Sequence, residues 1–395
     1  MDFMKTFDDI IIRRPELAQS YLALLSAQPG RPIALFAPRR VGKTYFLDGD
    51  LAPAATKAGF LPVYADLWLN RTTPLNAINH ALEETLDDVT IPRSAAGKLA
   101  KTQVKKVGIL SGSVEFGAEP TRRDLPSTPE LRFDALIARI AAVSGKQVLL
   151  MLDEIQSLAQ APAGEAIIAT VRAVLQKHKT KVCAVFTGSS LEALGVMMVA
   201  AGGPMYQFAQ LLTFPNLGEE YLTLLAEHYQ DVHQNKSLNI GHLEKVFAHL
   251  GYKPALMKDL VKSMSADGIT NVESGLRRFL ADDRYVSAWQ GQFEQLLPLE
   301  QAVVVLLANG ITPMAKNTLD VLERVPGLDS TLPKVRAALN RMRQSGLLSK
   351  PQRGTFQLED QLFADYIKAT YVPKYIVDGV LQLPEQPRPL RRKPK

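Results

Sequence analysis

The sequence predicts an α/β fold, with a mostly parallel sheet covered by helices on both faces, followed by a helical segment and a compact C-terminal module. Three observations predict it. Apolar runs of strand length alternate with helix-like segments through residues 1–214, the pattern of a parallel sheet buried on both sides. From residue 216 to about 293, apolar positions recur at spacings of three and four, as in GEEYLTLLAEHY and HLEKVFAHL, the period of amphipathic helices. Residues 299–371 then read as helix, helix, helix, hairpin.

The first element that carries chemistry is ALFAPRRVGKTYFL, residues 34–47, where a short apolar strand runs into a turn ending Gly42-Lys43-Thr44. Such a turn binds phosphate: its backbone N–H groups and the following helix N-terminus converge on the β- and γ-phosphates. Lys43 adds a point charge, and the Thr44 hydroxyl is a ligand for Mg²⁺. The nucleotide-binding stretch is therefore Ala37, Pro38, Arg39, Arg40, Val41, Gly42, Lys43, Thr44 and Tyr45, with Ala37 standing where the pattern G-x-x-x-x-G-K-[ST] has glycine.

About a hundred residues on, the apolar run VLLML at 148–152 is followed at once by Asp153 and Glu154. Carboxylates there sit at the C-terminal edge of a strand, where parallel sheets bind ligands. Asp153 is placed to hold Mg²⁺ directly or through water, and Glu154 to orient and deprotonate an attacking water. Alone, the pair reads equally well as a cap on the next helix. A third buried run, VCAVF at 182–186, ends in Thr187-Gly188-Ser189-Ser190. Hydroxyls at that strand end either meet the γ-phosphate or cap the helix that follows.

These elements together resemble the AAA+ and STAND branch of P-loop ATPases, within the ASCE-type P-loop NTPases. In that family a polar residue on this strand senses the γ-phosphate, so the resemblance implies Ser189 as the sensor, with Thr187 second, and catalytic roles for Lys43 and Glu154. The closest likeness is to the bacterial and archaeal STAND-type ATPases with a C-terminal winged helix. Residues 11–17 (IIRRPEL) resemble the segment that packs near the adenine in those proteins, LPVYA with Asp66 and Leu67 resembles their second strand, and LLTF before Pro215 their fifth. The likeness covers roughly residues 10–370. It departs from the family at residues 202–210, GGPMYQFAQ, which contain no arginine where an arginine finger stands in AAA+ rings. Arg172 is a weak substitute. The turn Gly251-Tyr252-Lys253-Pro254 resembles the lid turn of STAND proteins and also lacks arginine, leaving only Lys253 there.

The C-terminal module resembles a winged helix-turn-helix. Thr331 is the expected N-cap and Gly346 the terminator of its third helix, 332–344, with Val335, Leu339 and Met342 facing the core. Arg336, Asn340 and Arg343 form another stripe, flanked by Lys334 and Arg341. Strands at 347–349 and 355–358 make a wing whose tip carries Lys350 and Arg353. Six basic residues and no acidic ones lie between Thr331 and Gly354, a charge pattern suited to a helix in a major groove and a wing on phosphate. Arg336, Asn340, Arg341, Arg343, Lys350 and Arg353 are thus the expected DNA contacts. In STAND proteins the same module also packs on its own core or on a protein partner, which is the alternative here.

Composition sets the remaining expectations. No apolar run spans a bilayer, and MDFMKTFDDIII lacks the basic-then-apolar layout of a secretory signal, so a cytoplasmic protein with no membrane partner is expected. The lone Cys183 lies inside an apolar strand and excludes an internal disulfide. The six histidines form no metal-binding motif, leaving Mg²⁺ with ATP as the only metal expected. Net charge is +6, but the last ten residues hold five basic and no acidic residues, leaving +1 for the remainder.

The expected organisation is a P-loop ATPase domain at 1–214 with an inserted loop or hairpin at 92–129 and a short strand near 113–116. A helical lid at 215–293, a winged helix-turn-helix at 294–375 and a disordered basic tail at 376–395 follow. The expected activity is slow, Mg²⁺-dependent ATP hydrolysis that switches how lid and winged helix are presented to double-stranded DNA. The alternative is a regulatory scaffold or sensor that binds ATP and a protein partner, with a homo-oligomer also open.

Overall fold

The computed structural model describes residues 6–90, 125–189, 191–199, 201–234, 236–325, 327–350, 354–371, 374–377 and 380–382. The insertion expected at 92–129, with its strand near 113–116, lies outside the described residues except for its last five positions. The chain divides into two compact units, one of residues 13–215 and one of residues 1–12 with 216–395.

The first unit is built on five parallel strands, β1 (Ile33–Phe36), β2 (Leu61–Asp66), β3 (Val148–Asp153), β4 (Val182–Gly188) and β5 (Gln210–Thr213), in the order β2-β3-β4-β1-β5. The apolar runs dictate this: β3 and β4 are buried at every position, whereas the edge strands β2 and β5 contain half-buried positions. Side chains alternate between faces along a strand, and the two cores follow that alternation. On one face Ala34, Leu150, Leu152, Ala184 and Phe186 form a core with Leu82, Phe133, Ile137 and Val171. On the other, Ile33, Leu35, Leu149, Met151, Cys183 and Val185 pack with Tyr21, Leu25, Phe46 and Leu51.

The covering helices come from the segment before β1 and from those between strands. They are α1 (Pro15–Ala27), α2 (Lys43–Phe46) continuing through a π turn at Leu47–Leu51 into α3 (Ala52–Lys57), α4 (Pro74–Thr90), α5 (Pro129–Ser144), α6 (Ser157–Gln160), α7 (Gly164–Lys177) and α8 (Leu191–Met198). Phe133 on α5 is completely buried. Truncation of Phe133→Ala should cost about 3–5 kcal/mol through lost burial and a residual cavity, to be read as a lowered midpoint in denaturant unfolding. Cys183 is a packed thiol, pushed up to about 12 by burial.

The second unit is helical: α9 (Glu219–His233), α10 (Ile240–His249), α11 (Pro254–Asp267), α12 (Val272–Leu280), α13 (Asp283–Glu294), α14 (Pro298–Ala308), α15 (Lys316–Glu323), α16 (Leu332–Gln344) and α17 (Gln361–Thr370). The hairpin β6 (Leu348–Ser349) and β7 (Gln357–Leu358) is antiparallel and shorter than the sequence implied. Buried residues from 215–293, such as Tyr229, Phe247 and Leu260, belong to the same apolar cluster as Val303, Leu339 and Phe363 from 294–375. At the rim of that core His249 Nε2 meets Asp365 Oδ2 at 2.6 Å, and Lys253 pairs with Asp360 at 3.8 Å.

Thr331 is the N-cap residue of α16, but its side chain makes no capping hydrogen bond, so Pro333 and the buried face carry the helix start. Of the tail expected to be disordered from 376, residues 376–377 and 380–382 are described. Lys374–Val377 pairs antiparallel with Val380–Gln382, forming β8 and β9.

Candidate functional site

The strand order brings three strand ends side by side. β4 lies between β1 and β3, so the loop after β1, the Asp153-Glu154 pair at the end of β3 and the hydroxyls at the end of β4 meet at the carboxyl edge of the sheet, where ligands of parallel sheets bind.

The loop from Ala37 to Thr44 reverses direction at two residues with positive φ, Arg40 at 66° and Gly42 at 94°. Gly42 is the N-cap of α2 and has a ψ of 17°, a conformation that costs a residue bearing a Cβ. A Cβ there would meet no atom within 4 Å, so backbone conformation and not crowding demands the glycine. Ala37 is not among the positive-φ residues, and its N–H donates to the Gly188 carbonyl at 3.3 Å. An ordinary backbone at this position explains why alanine replaces glycine. Lys43 is buried, and its Nζ donates to the carbonyls of Ala37 and Pro38 at 2.6 and 2.8 Å.

Asp153 is the hub of the site. Its Oδ2 accepts from the Thr44 hydroxyl at 2.7 Å and the Tyr64 hydroxyl at 3.1 Å. Its Oδ1 accepts from the Glu154 N–H at 3.0 Å and from the Thr187 hydroxyl. Thr187, fully buried, therefore anchors Asp153. Burial, reinforced by the Asp153 charge and hydrogen bond, raises the Tyr64 hydroxyl well above the usual phenol range and keeps it a donor. Thr44 and Asp153 together offer hard oxygen donors at hydrogen-bond separation, a set that fits Mg²⁺ and not a soft transition metal. Among the described residues no cluster of His, Cys, Asp and Glu suits another metal.

Glu154 stands at the sharp turn after β3, with a φ of 57° that non-glycine residues seldom adopt. The turn is fixed on both sides by the Glu154 N–H on Asp153 and by the Ile155 N–H on the Thr187 carbonyl at 2.9 Å. Glu154 Oε2 accepts from the Ser189 hydroxyl at 2.7 Å and from the Gln156 amide. Ser189 also accepts from Gln156 Nε2 at 3.3 Å and Arg39 Nε at 3.4 Å. The Arg39 guanidinium lies 4.4 Å from the centre of the Trp68 ring, and that of Arg71 lies 3.8 Å from it. Tyr45 is exposed, with the Arg13 guanidinium 5.6 Å from its ring centre.

Sequence reasoning missed Tyr64, Gln156 and Trp68. Tyr64 had a usable signal, since a polar hydroxyl falls two residues before the end of β2, beside β3. Gln156 and Trp68 lie in turns, where no periodicity marks a side chain's direction.

Other candidates have structural partners. The Arg172 guanidinium donates to the Pro204 carbonyl at 3.1 Å and lies 5.4 Å from the Phe208 ring centre, bracing the segment in which an arginine was sought. Lys253 pairs with Asp360. On α16, Arg336 and Asn340 are exposed and Arg343 half-exposed, while Val335, Leu339 and Met342 are buried. Arg341 is drawn aside by the buried Glu300, at 2.9 Å, and Lys334 is paired with Asp329. Lys350 lies 5.7 Å from the Phe356 ring centre, and Arg353 falls outside the described residues.

A five-stranded parallel sheet of this order, with a phosphate-type loop after β1 and an Asp-Glu pair after the strand two places away, is the fold of the AAA+ P-loop ATPases. Two solved structures are similar over nearly the whole chain. The Walker-type ATPase PABY2304 of Pyrococcus abyssi is 15% identical, with a TM-score of 0.55 over 91% of this chain and 97% of that one. The ORC2 protein of Aeropyrum pernix, in its ADPNP–ADP complexes, is 16% identical, with a TM-score of 0.51 over 90% of this chain and 92% of that one. No protein-family model and no curated protein matches the chain. Among the described residues, no helix is long and apolar enough to cross a membrane.

Proposed function

We propose that this chain is an Mg²⁺-dependent ATPase of the STAND kind, a nucleotide-controlled switch whose winged segment contacts duplex DNA. The observation that carries the reading is the convergence of Lys43, Thr44, Asp153, Glu154 and Ser189 at one sheet edge, joined by the hydrogen bonds Thr44–Asp153 and Ser189–Glu154.

In this reading the loop N–H groups and Lys43 bind the phosphates, and Thr44 with Asp153 holds the metal. Bound Mg²⁺ neutralises charge on the phosphates. Tyr64 and Thr187 donate to the two Asp153 carboxylate oxygens and hold the carboxylate towards Thr44. Glu154 orients a water and accepts its proton, and Ser189 couples the end of β4 to that carboxylate. The P. abyssi and A. pernix structures, a Walker-type ATPase and a protein in complex with ADPNP and ADP, support nucleotide as the ligand.

Exposed Arg336 and Asn340, on the polar side of α16, support DNA as the partner. Replacement of Arg336 and Arg343 by alanine should weaken duplex binding at least tenfold at moderate salt. It should also lower the slope of log affinity against log salt by about 2, one phosphate contact per residue. Fluorescence anisotropy across a salt series measures both. The joint test of site and partner is ATP hydrolysis with and without duplex DNA. Stimulation that is lost with the two arginines supports the DNA-acting switch.

The common apolar core of lid and winged segments supports a second reading. The winged module would then serve as a fixed part of a scaffold that engages a protein. Hydrolysis indifferent to DNA, with partner-dependent oligomerisation, would select it.

A further inference from the structure

We infer that Gln156 is a positioning residue that holds the Glu154 carboxylate for water activation, an assignment that rests on the proposed ATP hydrolysis. Gln156 is 4% exposed, although nothing in its sequence context calls for a buried amide. Burying an amide is costly unless it forms hydrogen bonds. Its Nε2 makes two, to Glu154 Oε2 and to Ser189 Oγ, which itself donates to Glu154 Oε2. Gln156, Ser189 and Glu154 thus close a triangle of hydrogen bonds. Both donors fall on one carboxylate oxygen, and neither falls on Oε1, which is the oxygen left to take a proton.

The surroundings are shaped for this amide. Gln156 Oε1 is buried without a hydrogen-bond partner, so the side chain is held by what its nitrogen does. Gly188, at the end of β4, makes the space: a Cβ there would lie 2.8 Å from Gln156 Oε1 and 2.8 Å from Leu194 Cδ1. Glu154 needs such a tether because its backbone is in the left-handed region. A residue in that conformation persists where neighbours over-determine it, and here the neighbours are Asp153, Thr187, Gln156 and Ser189. A displacement of about 1 Å in a group that activates water costs up to roughly a hundredfold in rate.

The test is Gln156→Met, which keeps the side chain's length and removes its donors. Gly188→Ala is a second variant that pushes on the amide without changing it. Each is made alone and together with Glu154→Gln. For each we expect kcat to fall about tenfold to a hundredfold, while ATP affinity from a fluorescence titration stays within about twofold. In the Glu154→Gln background neither change should lower the residual kcat further, because Gln156 acts through the carboxylate already removed. An unchanged kcat in both variants overturns the inference, as does a loss of equal size in both backgrounds. A wild-type chain that binds ATP and never hydrolyses it overturns the hydrolysis reading and this inference together, a result distinct from an active wild type with active variants.

Discussion

Replacing Glu154 by glutamine should lower turnover by about 10²–10⁴, to a small residual rate, while leaving ATP binding intact. The amide keeps the size of the carboxylate and can still meet Ser189, but it cannot accept a proton from water. Loss of a positioned general base typically costs about 10²–10⁴ in rate, and here the whole loss should appear in kcat. The Kd for ATP should stay within about threefold, since Lys43, Thr44 and Asp153 are untouched. Steady-state phosphate release alongside equilibrium ATP binding checks both. Unchanged hydrolysis in Glu154→Gln would remove this residue from the mechanism.

The second large effect is expected at Lys43. Its Nζ is held by two carbonyls of its own loop, those of Ala37 and Pro38, and this fixes a positive charge inside the curve of the turn. Lys43→Ala should lower kcat/KM by about 10²–10³, the scale of deleting one preorganised donor from a developing negative charge. Unlike Glu154→Gln, it should weaken ATP binding as well, because the charge acts on ground-state phosphates too. Lys43→Arg should not rescue: a planar guanidinium cannot replace a compact ammonium between two carbonyls of one tight turn. Isothermal titration with ATP, together with turnover, separates the two variants. Equal affinity in wild type and Lys43→Ala would remove this loop from nucleotide binding.

The fold was readable where burial is two-sided. β3 and β4 are continuous apolar runs because helices cover both faces of the sheet, and no other environment favours VLLML and VCAVF so strongly. Their ends were readable for the same reason, since Asp153, Thr187 and Ser189 interrupt an apolar run abruptly. The arrangement of the hydroxyls was not. Either Thr187 or Ser189 reaches the acidic pair in a strand-end reading, and two residues apart they share a face; position along the chain separates them, Thr187 inside β4 meeting Asp153 at the end of β3, and Ser189 just past β4 meeting Glu154 just past β3. Arg341 is expected at DNA from its position beside the basic stripe, and in the fold its guanidinium is also paired with Glu300. Helical spacing shows which residues share a face, but not that Glu300 of α14 waits next to one of them. Pattern divides 215–293 from 294–375, yet it carries no information on which helices complete each other's core, and here Tyr229, Phe247, Val303 and Leu339 share one.

The alanine at position 37 has a bearing on how such loops vary among proteins. A motif written as fixed letters treats both of its glycines as equally required, but the backbone here requires only one. Gly42 occupies a region of conformational space closed to most side chains, whereas Ala37 occupies an ordinary one and is tucked against Gly188. Drift at position 37 is thus limited by the volume of the side chain, so that small residues interchange freely, while drift at position 42 is limited by backbone geometry and halts at glycine. Loops of this shape can leave the letter pattern at their first position over evolutionary time and keep their form.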